Sequence, residues 1–216
     1  MGNVMNGSRK LSIIGAASRT GRLLTRLASA DGHLVTGLAR DRRALDALPE
    51  LHRGVVGDAT DRATVDDAVQ GQDAVITVVA TADRRPSTAV TDIMRTVVTA
   101  MHSNGVARLI ITSSRNLTAT EPRIMVAPTK WIFRHVYADL ARAEELVRSS
   151  GLDWTIVRAT MLTDDPSRGG VHIDTEPDAT GGDWKLPRAD YARTLLDTAL
   201  DTATVQQAIG VNGMLK

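Results

Sequence analysis

The segment Gly15-Ala16-Ala17-Ser18-Arg19-Thr20-Gly21 has the residue types and spacing to cradle a diphosphate. It follows a short apolar run and opens a helical pattern, which is the context that gives such a turn meaning. Gly15 permits the tight turn and Gly21 permits close helix–strand packing. The N–H groups at the helix start, Arg19 and Thr20 among them, then face an anion. The middle position is Ser18, where glycine is usual. Its Cβ crowds a diphosphate, while its hydroxyl can donate to a phosphate oxygen. Arg40 ends the second apolar run, where an acidic residue would hold the ribose 2′-OH of NAD. A guanidinium there matches the 2′-phosphate of NADP instead. Arg42, Arg43 and Arg19 either extend that pocket or are solvated surface charges, and Asp41 partly neutralises them. Asp58 either accepts a hydrogen bond from the adenine amine or caps the helix that follows.

Candidates for proton work are Ser113, Ser114, His135 and Tyr137. A serine hydroxyl hydrogen-bonds a carbonyl or orients an amide, and equally it can bond nearby backbone at a strand end. His135 has the pKa range for proton transfer, although a lone His commonly serves packing. Trp131, Phe133, His135 and Tyr137 alternate in a chain with three Trp, two Tyr and one Phe. A planar substrate could stack there, or the cluster plugs the sheet end. Arg115 and Lys130 either meet an anionic substrate or solvate a loop. His33, His52, His102 and His172 show no metal-ligand spacing, and cysteine is absent, so no metal site is expected.

The elements that must position these residues alternate in type. Strands are expected at Leu11–Ile14, Leu34–Leu38, Arg53–Val56, Asp73–Val79, Leu109–Thr112 and Trp154–Arg158. Helices are expected at Arg22–Ser29, Thr64–Val69, Ser87–His102, Tyr137–Ser149 and Asp190–Leu200. Leu117–Lys130 reads as a loop or lid, and Thr163–Asp183 as loop with one edge strand at Val171–Ile173. A last strand is expected near Gln207–Val211. Repeated strand–helix units argue for a doubly wound parallel sheet of the Rossmann type, α/β in class, with a small C-terminal substrate-side appendage. Ligands in such sheets bind beyond the C-terminal strand ends, where every segment named above falls. Residues 1–10 read as a disordered leader and 11–216 as one domain.

With 216 residues, 26 basic and 25 acidic side chains, the chain is nearly neutral. That gives no case for nucleic acid or a membrane surface as main partner. No apolar run approaches the roughly 20 residues that span a bilayer. A cytoplasmic location and a monomer or homodimer are expected.

With the turn, Arg40 and Asp58 in place, the chain resembles the atypical short-chain dehydrogenase/reductase superfamily. It is most similar to the NAD(P)H-binding, NmrA-like branch and to flavin reductase/biliverdin reductase B. Arg19-Thr20-Gly21-Arg22, Leu38-Ala39-Arg40-Asp41, Val56-Gly57-Asp58-Ala59 and Gly71-Gln72-Asp73-Ala74-Val75-Ile76 carry the resemblance. So do Ser150-Gly151-Leu152-Asp153-Trp154-Thr155-Ile156-Val157-Arg158 and Arg188-Ala189-Asp190-Tyr191-Ala192. The resemblance implies NADP(H) as cofactor. It implies Gly15, Ser18, Arg19, Thr20 and Gly21 at the diphosphate, and Arg40 at the 2′-phosphate. Asp58 and Ala59 would flank adenine, and Val79, Ala80 and Thr81 would pass under the ribose. Thr112 to Ser114 would lie beside the nicotinamide, with Ser113 as a positioning hydroxyl. The Tyr-x-x-x-Lys pair of short-chain reductases is missing, because Ala141 stands four residues after Tyr137. Ala159 also stands where Pro usually follows Arg158. The leading expectation is an NADPH-dependent reductase of a flat conjugated molecule such as a flavin, quinone, tetrapyrrole or polyketide-like compound. The alternatives are a non-redox isomerase or cyclase on the same scaffold, and an NADP(H)-sensing regulator.

Overall fold

The structure, a computed structural model, describes residues 7–79, 85–120, 123–175 and 182–215. Six parallel strands lie in the order β3 (Arg53–Val56), β2 (Leu34–Ala39), β1 (Lys10–Ile14), β4 (Ala74–Thr77), β5 (Arg108–Ser114) and β6 (Asp153–Ala159). The sheet continues through parallel β10 (Gln207–Gly213) to an antiparallel edge strand, β8 (Val171–Asp174). A separate parallel pair joins β7 (Met161–Thr163) to β9 (Lys185–Pro187). Strand order reverses between β1 and β4, and a crevice opens there at the C-terminal strand ends.

The strands carry apolar side chains on both faces because helices cover both. On one face Leu11, Ile13 and Ile76 pack against α1 (Arg19–Ala30) and α7 (Arg188–Leu200). On the other, Ile14, Val75 and Ile111 pack against α3 (Arg62–Val69), α4 (Ala89–Asn104) and α6 (Arg134–Arg148). The successive strand residues Ile13 and Ile14 thus serve opposite cores.

Several ends are tied by charge rather than by the helix itself. Buried Asp139 on α6 accepts from Val90 N at 2.9 Å and Thr91 N at 3.2 Å, which caps α4. Buried Arg108 donates to the carbonyl of Asp201 at 3.0 Å and so closes the end of α7. Ser8 Oγ donates to Gly32 O at 2.7 Å, and Arg9 N donates to His33 Nδ1 at 3.2 Å, so residues 8 and 9 are bonded to the turn before β2, and Lys10 begins β1.

Two expectations are corrected. The segment expected as a loop from Leu117 contains a 3-10 turn (Arg115–Leu117) and a helix, α5 (Arg123–Ile132). Pro128 lies inside that helix and forfeits one backbone bond, which packing against α6 and the 3-10 turn offsets. Arg42 and Arg43, expected either to extend the Arg40 pocket or to be solvated surface charges, are exposed and begin a short helix, α2 (Arg42–Asp46), because Asp41 Oδ1 accepts from Arg43 N at 2.9 Å. No helix among the described residues is long and apolar enough to cross a membrane.

Candidate cofactor and active site

The glycine turn is shaped by backbone sterics. Gly15 has φ +90°, and a Cβ there would lie 2.4 Å from the Val78 carbonyl oxygen. A Cβ on Gly21 would lie 2.3 Å from the Gly15 carbonyl oxygen. Both distances are far inside van der Waals contact, so only glycine lets α1 start this close to β1. The turn is fastened to the end of β2: Gly15 N and Ala16 N both donate to Leu38 O, at 3.0 and 3.1 Å. The diphosphate cradle and Arg40, two residues beyond Leu38, are therefore one rigid unit.

Ser18 turns out to be compatible with that turn. Its φ of −67° needs no glycine, and its Oγ accepts from Gly21 N at 3.0 Å as the N-cap of α1. Its Oγ thus satisfies one of the first N–H groups of α1 and leaves those of Arg19 and Thr20 facing the crevice.

The crevice holds a cavity of about 1010 Å³. Its lining brings together Gly15, Ser18, Arg19, Thr20, Arg40, Asp58, Ala59, Val79, Thr112, Ser113, Ser114 and Tyr137 from the predicted site. Gly21 lies in the wall behind the turn. Arg43 is exposed on α2 and does not line the cavity. Ala80 and Thr81 lie outside the described residues. Asp58 does not cap the following helix; Asp61 does, accepting from Thr64 N at 3.0 Å. Asp58 instead accepts from Thr60 N at 2.8 Å, and the Thr60 hydroxyl and amide hold its carboxyl below the usual carboxylate range. It therefore remains an acceptor at the Arg40 end of the cavity.

At the opposite end, Ser113 ends β5 over a buried charge pair. Ser113 Oγ lies 2.7 Å from Glu144 Oε1, and Arg158 Nε donates to the same oxygen at 3.0 Å. The second carboxylate oxygen meets Arg158 Nη2. A carboxylate gripped by guanidinium only accepts, so Ser113 must donate its proton to Glu144. Its lone pairs alone face the cavity. Of the two roles expected of Ser113, bonding a carbonyl or orienting an amide, this arrangement suits the second, in which its oxygen accepts from an amide N–H₂. Glu144 was not legible as a site residue, and nothing in its local sequence marks it. Arg158 lies in the segment most characteristic of the family, yet its role comes only from the pairing.

The aromatic residues separate. Because α5 and α6 are helices, alternate residues diverge and residues four apart meet. Phe133 and Tyr137 line the cavity with ring centroids 6.3 Å apart. Trp131 is 72% exposed and lies under the Arg134 guanidinium. His135 does not line the cavity. Tyr137 OH accepts from Asn116 Nδ2 at 3.1 Å, which leaves the phenolic hydrogen for a ligand. The other tyrosine, Tyr191, is buried and donates to Val157 O at 2.8 Å; burial pushes its phenol far up. Arg115 does not meet the cavity: it is buried, stacks against Gly210 and pairs with Asp174. Arg188, at the start of α7, is a cavity residue that sequence reading missed. No cluster among the described residues could hold a metal ion.

Comparison with known proteins agrees with this geometry. An NAD(P)H-binding family profile matches residues 15–202. Oxidoreductase stcQ of Emericella nidulans is 32% identical over 128 residues, covering 52% of this chain and 46% of that protein. The chain thus spans about half the length of that relative. The anaerobillin reductase ChuY of Escherichia coli O157:H7 superposes with a TM-score of 0.80 at 23% identity, over 96% of this chain and 98% of that one. A short-chain dehydrogenase/reductase of Veillonella parvula, solved in complex with NADP, gives 0.76 at 22% identity, over 95% of each chain. At these identities the structural likeness speaks for the fold. The profile match, covering most of the chain and including both the glycine turn and Arg188, shows that this protein belongs to the NAD(P)H-binding family.

Proposed function

We propose that the protein is an NADPH-dependent reductase of a planar, conjugated small molecule. The observation that carries this reading is the continuity of the cavity, which runs from Arg40 and Asp58 past the glycine turn to Ser113, Phe133 and Tyr137. A dinucleotide with a 2′-phosphate fits its donors: a guanidinium at the ribose end, helix N–H groups at the centre and a carboxamide acceptor at the far end. When bound, the reduced nicotinamide supplies the hydride.

The chain's own residues then have separable tasks. Glu144 and Arg158 fix Ser113 so that its oxygen accepts from the carboxamide and sets the ring's face. Phe133 offers an apolar surface on which a flat acceptor stacks. Tyr137, held by Asn116, donates its phenolic hydrogen to the acceptor heteroatom that becomes protonated as the neighbouring carbon takes the hydride. The cavity's open mouth lets solvent return the proton to Tyr137. The ChuY likeness supports a tetrapyrrole-sized acceptor as one member of the class.

The test is a panel assay. Purified protein should quench NADPH fluorescence on binding and oxidise NADPH with at least one flavin, quinone or linear tetrapyrrole. Tyr137→Phe should lower kcat with little change in NADPH affinity. Failure to bind NADPH at millimolar concentration would remove the reading.

A further inference from the structure

Two arginines from opposite ends of the chain meet at one carboxylate beside the diphosphate cradle. Arg19 is the first residue of α1 and Arg188 the first of α7. Arg19 Nη1 donates to Asp164 Oδ2 at 2.7 Å, and Arg188 Nε donates to Asp164 Oδ1 at 2.8 Å. Arg188 Nη1 also reaches Thr20 Oγ1 at 3.3 Å. That last contact places the Arg188 guanidinium against the first turn of α1, inside the diphosphate subsite. Both arginines line the cavity.

The three side chains differ in freedom. The Arg188 side chain is 10% exposed, whereas those of Asp164 and Arg19 are 60% and 73% exposed. The buried cation is fixed and its counter-ion can leave. Hydrogen bonding to Arg188, aided by Arg19, holds the Asp164 carboxyl below the usual carboxylate range, so it is an anion at neutral pH. A buried guanidinium needs an anion, and a carboxylate supplies one when no ligand does. A diphosphate carries more charge and offers the same paired oxygens, so it is the better partner for two guanidiniums and the start of α1.

We propose that Asp164 is an internal substitute for the cofactor's diphosphate, and that dinucleotide binding displaces it from Arg188 and Arg19. The proposal rests on the dinucleotide reading of the cavity given above. It makes Arg188 a diphosphate ligand contributed by the C-terminal half of the chain. Asp164 directly follows β7, whose Leu162 lines the cavity, so its release links cofactor arrival to the substrate side. A substrate carboxylate could in principle compete for the same guanidiniums, but the contact with Thr20 favours the diphosphate.

Titration calorimetry on wild type, Asp164→Asn, Arg188→Lys and the double variant separates these outcomes, with NADPH, ADP, adenosine 2′-monophosphate and succinate as probes. Asp164→Asn should tighten NADPH and ADP by roughly two- to fivefold, the scale of an exposed ion pair, and leave adenosine 2′-monophosphate unchanged. Arg188→Lys should weaken NADPH and ADP by about tenfold, because an ammonium cannot grip both oxygens. In the double variant the gain from Asp164→Asn should shrink, with Arg19 carrying what remains. Unchanged or weaker ADP binding by Asp164→Asn, in protein whose thermal unfolding shows it folded at the titration temperature, overturns the proposal; so does tightening confined to succinate. Wild type that binds no NADPH overturns the cofactor reading itself, before any variant is compared.

Discussion

The two ends of the cavity are built by different means. The glycine-turn end is shaped by backbone, with Gly15 at φ +90°, Gly21 pressed against the Gly15 carbonyl and a turn bonded to Leu38, and the side chains of Arg19 and Arg188 are added to it. The Ser113 end is made wholly of side chains drawn from distant elements: Ser113 from β5, Glu144 and Tyr137 from α6, Arg158 from β6 and Phe133 from the break before α6. A backbone site depends on local conformation and tolerates few residue types. A side-chain site depends on charge balance across the fold.

This contrast can be broken at either end. The largest effect should come from Glu144→Ala, which strands the Arg158 guanidinium in the interior. A loss of about 3–5 kcal/mol is expected, read by denaturant unfolding. Glu144→Gln, which keeps the shape, should lose less. If Glu144→Ala were as stable as wild type, the buried pair would not organise that end. Next in size is Gly21→Ala. Its methyl would meet backbone at 2.3 Å, so about 1–3 kcal/mol of stability and most dinucleotide affinity should go together. Binding that survived intact would show that α1 need not approach β1 so closely.

Smaller again is Ser113→Ala. Removing an acceptor that orients the carboxamide should lower kcat about tenfold, about 1.4 kcal/mol, with stability nearly unchanged. A fall in NADPH affinity without a fall in kcat would move Ser113 from orientation to binding. The smallest effect concerns neither end. Asp31, between α1 and α7, is held below its ordinary value of 3.8 by hydrogen bonding to Arg193. Because its folded value is depressed, its contribution is complete above 3.8 and is lost as pH falls through the lower folded value. Both side chains are more than a third exposed, so screening keeps this contribution below about 1 kcal/mol. Wild type and Asp31→Asn should differ slightly at pH 7 and converge in acid, as followed by thermal unfolding.

The same contrast explains what the sequence disclosed. The parallel strands were legible as short apolar runs, and the glycine turn as a local motif following one of them. Arg40 was legible because the end of the second strand has a fixed address relative to that turn. Ser113 and Tyr137 were legible as residue types, but not their hydrogen-bond polarity, which Glu144 and Asn116 set from elsewhere. Glu144 gave no local signal, and Arg188 was legible as part of a family-like segment but not as a site residue, since the partners that define their roles lie 14 to 168 residues away in sequence. The alternating aromatics misled for a related reason. Pro128 within Leu117–Lys130 suggested a loop, whereas the helices α5 and α6 bring Phe133 to Tyr137 and send Trp131 to solvent.

The central claim is that this cavity takes a dinucleotide whose 2′-phosphate meets Arg40. The most direct measurement is a pair of calorimetric titrations with NADPH and NADH, on wild type and on Arg40→Ala. Wild type should prefer NADPH by about tenfold or more, the scale of one charge-assisted contact, and Arg40→Ala should lose that preference while its NADH affinity stays the same. Equal affinities for the two cofactors in wild type, or an NADPH affinity untouched by the substitution, would contradict it.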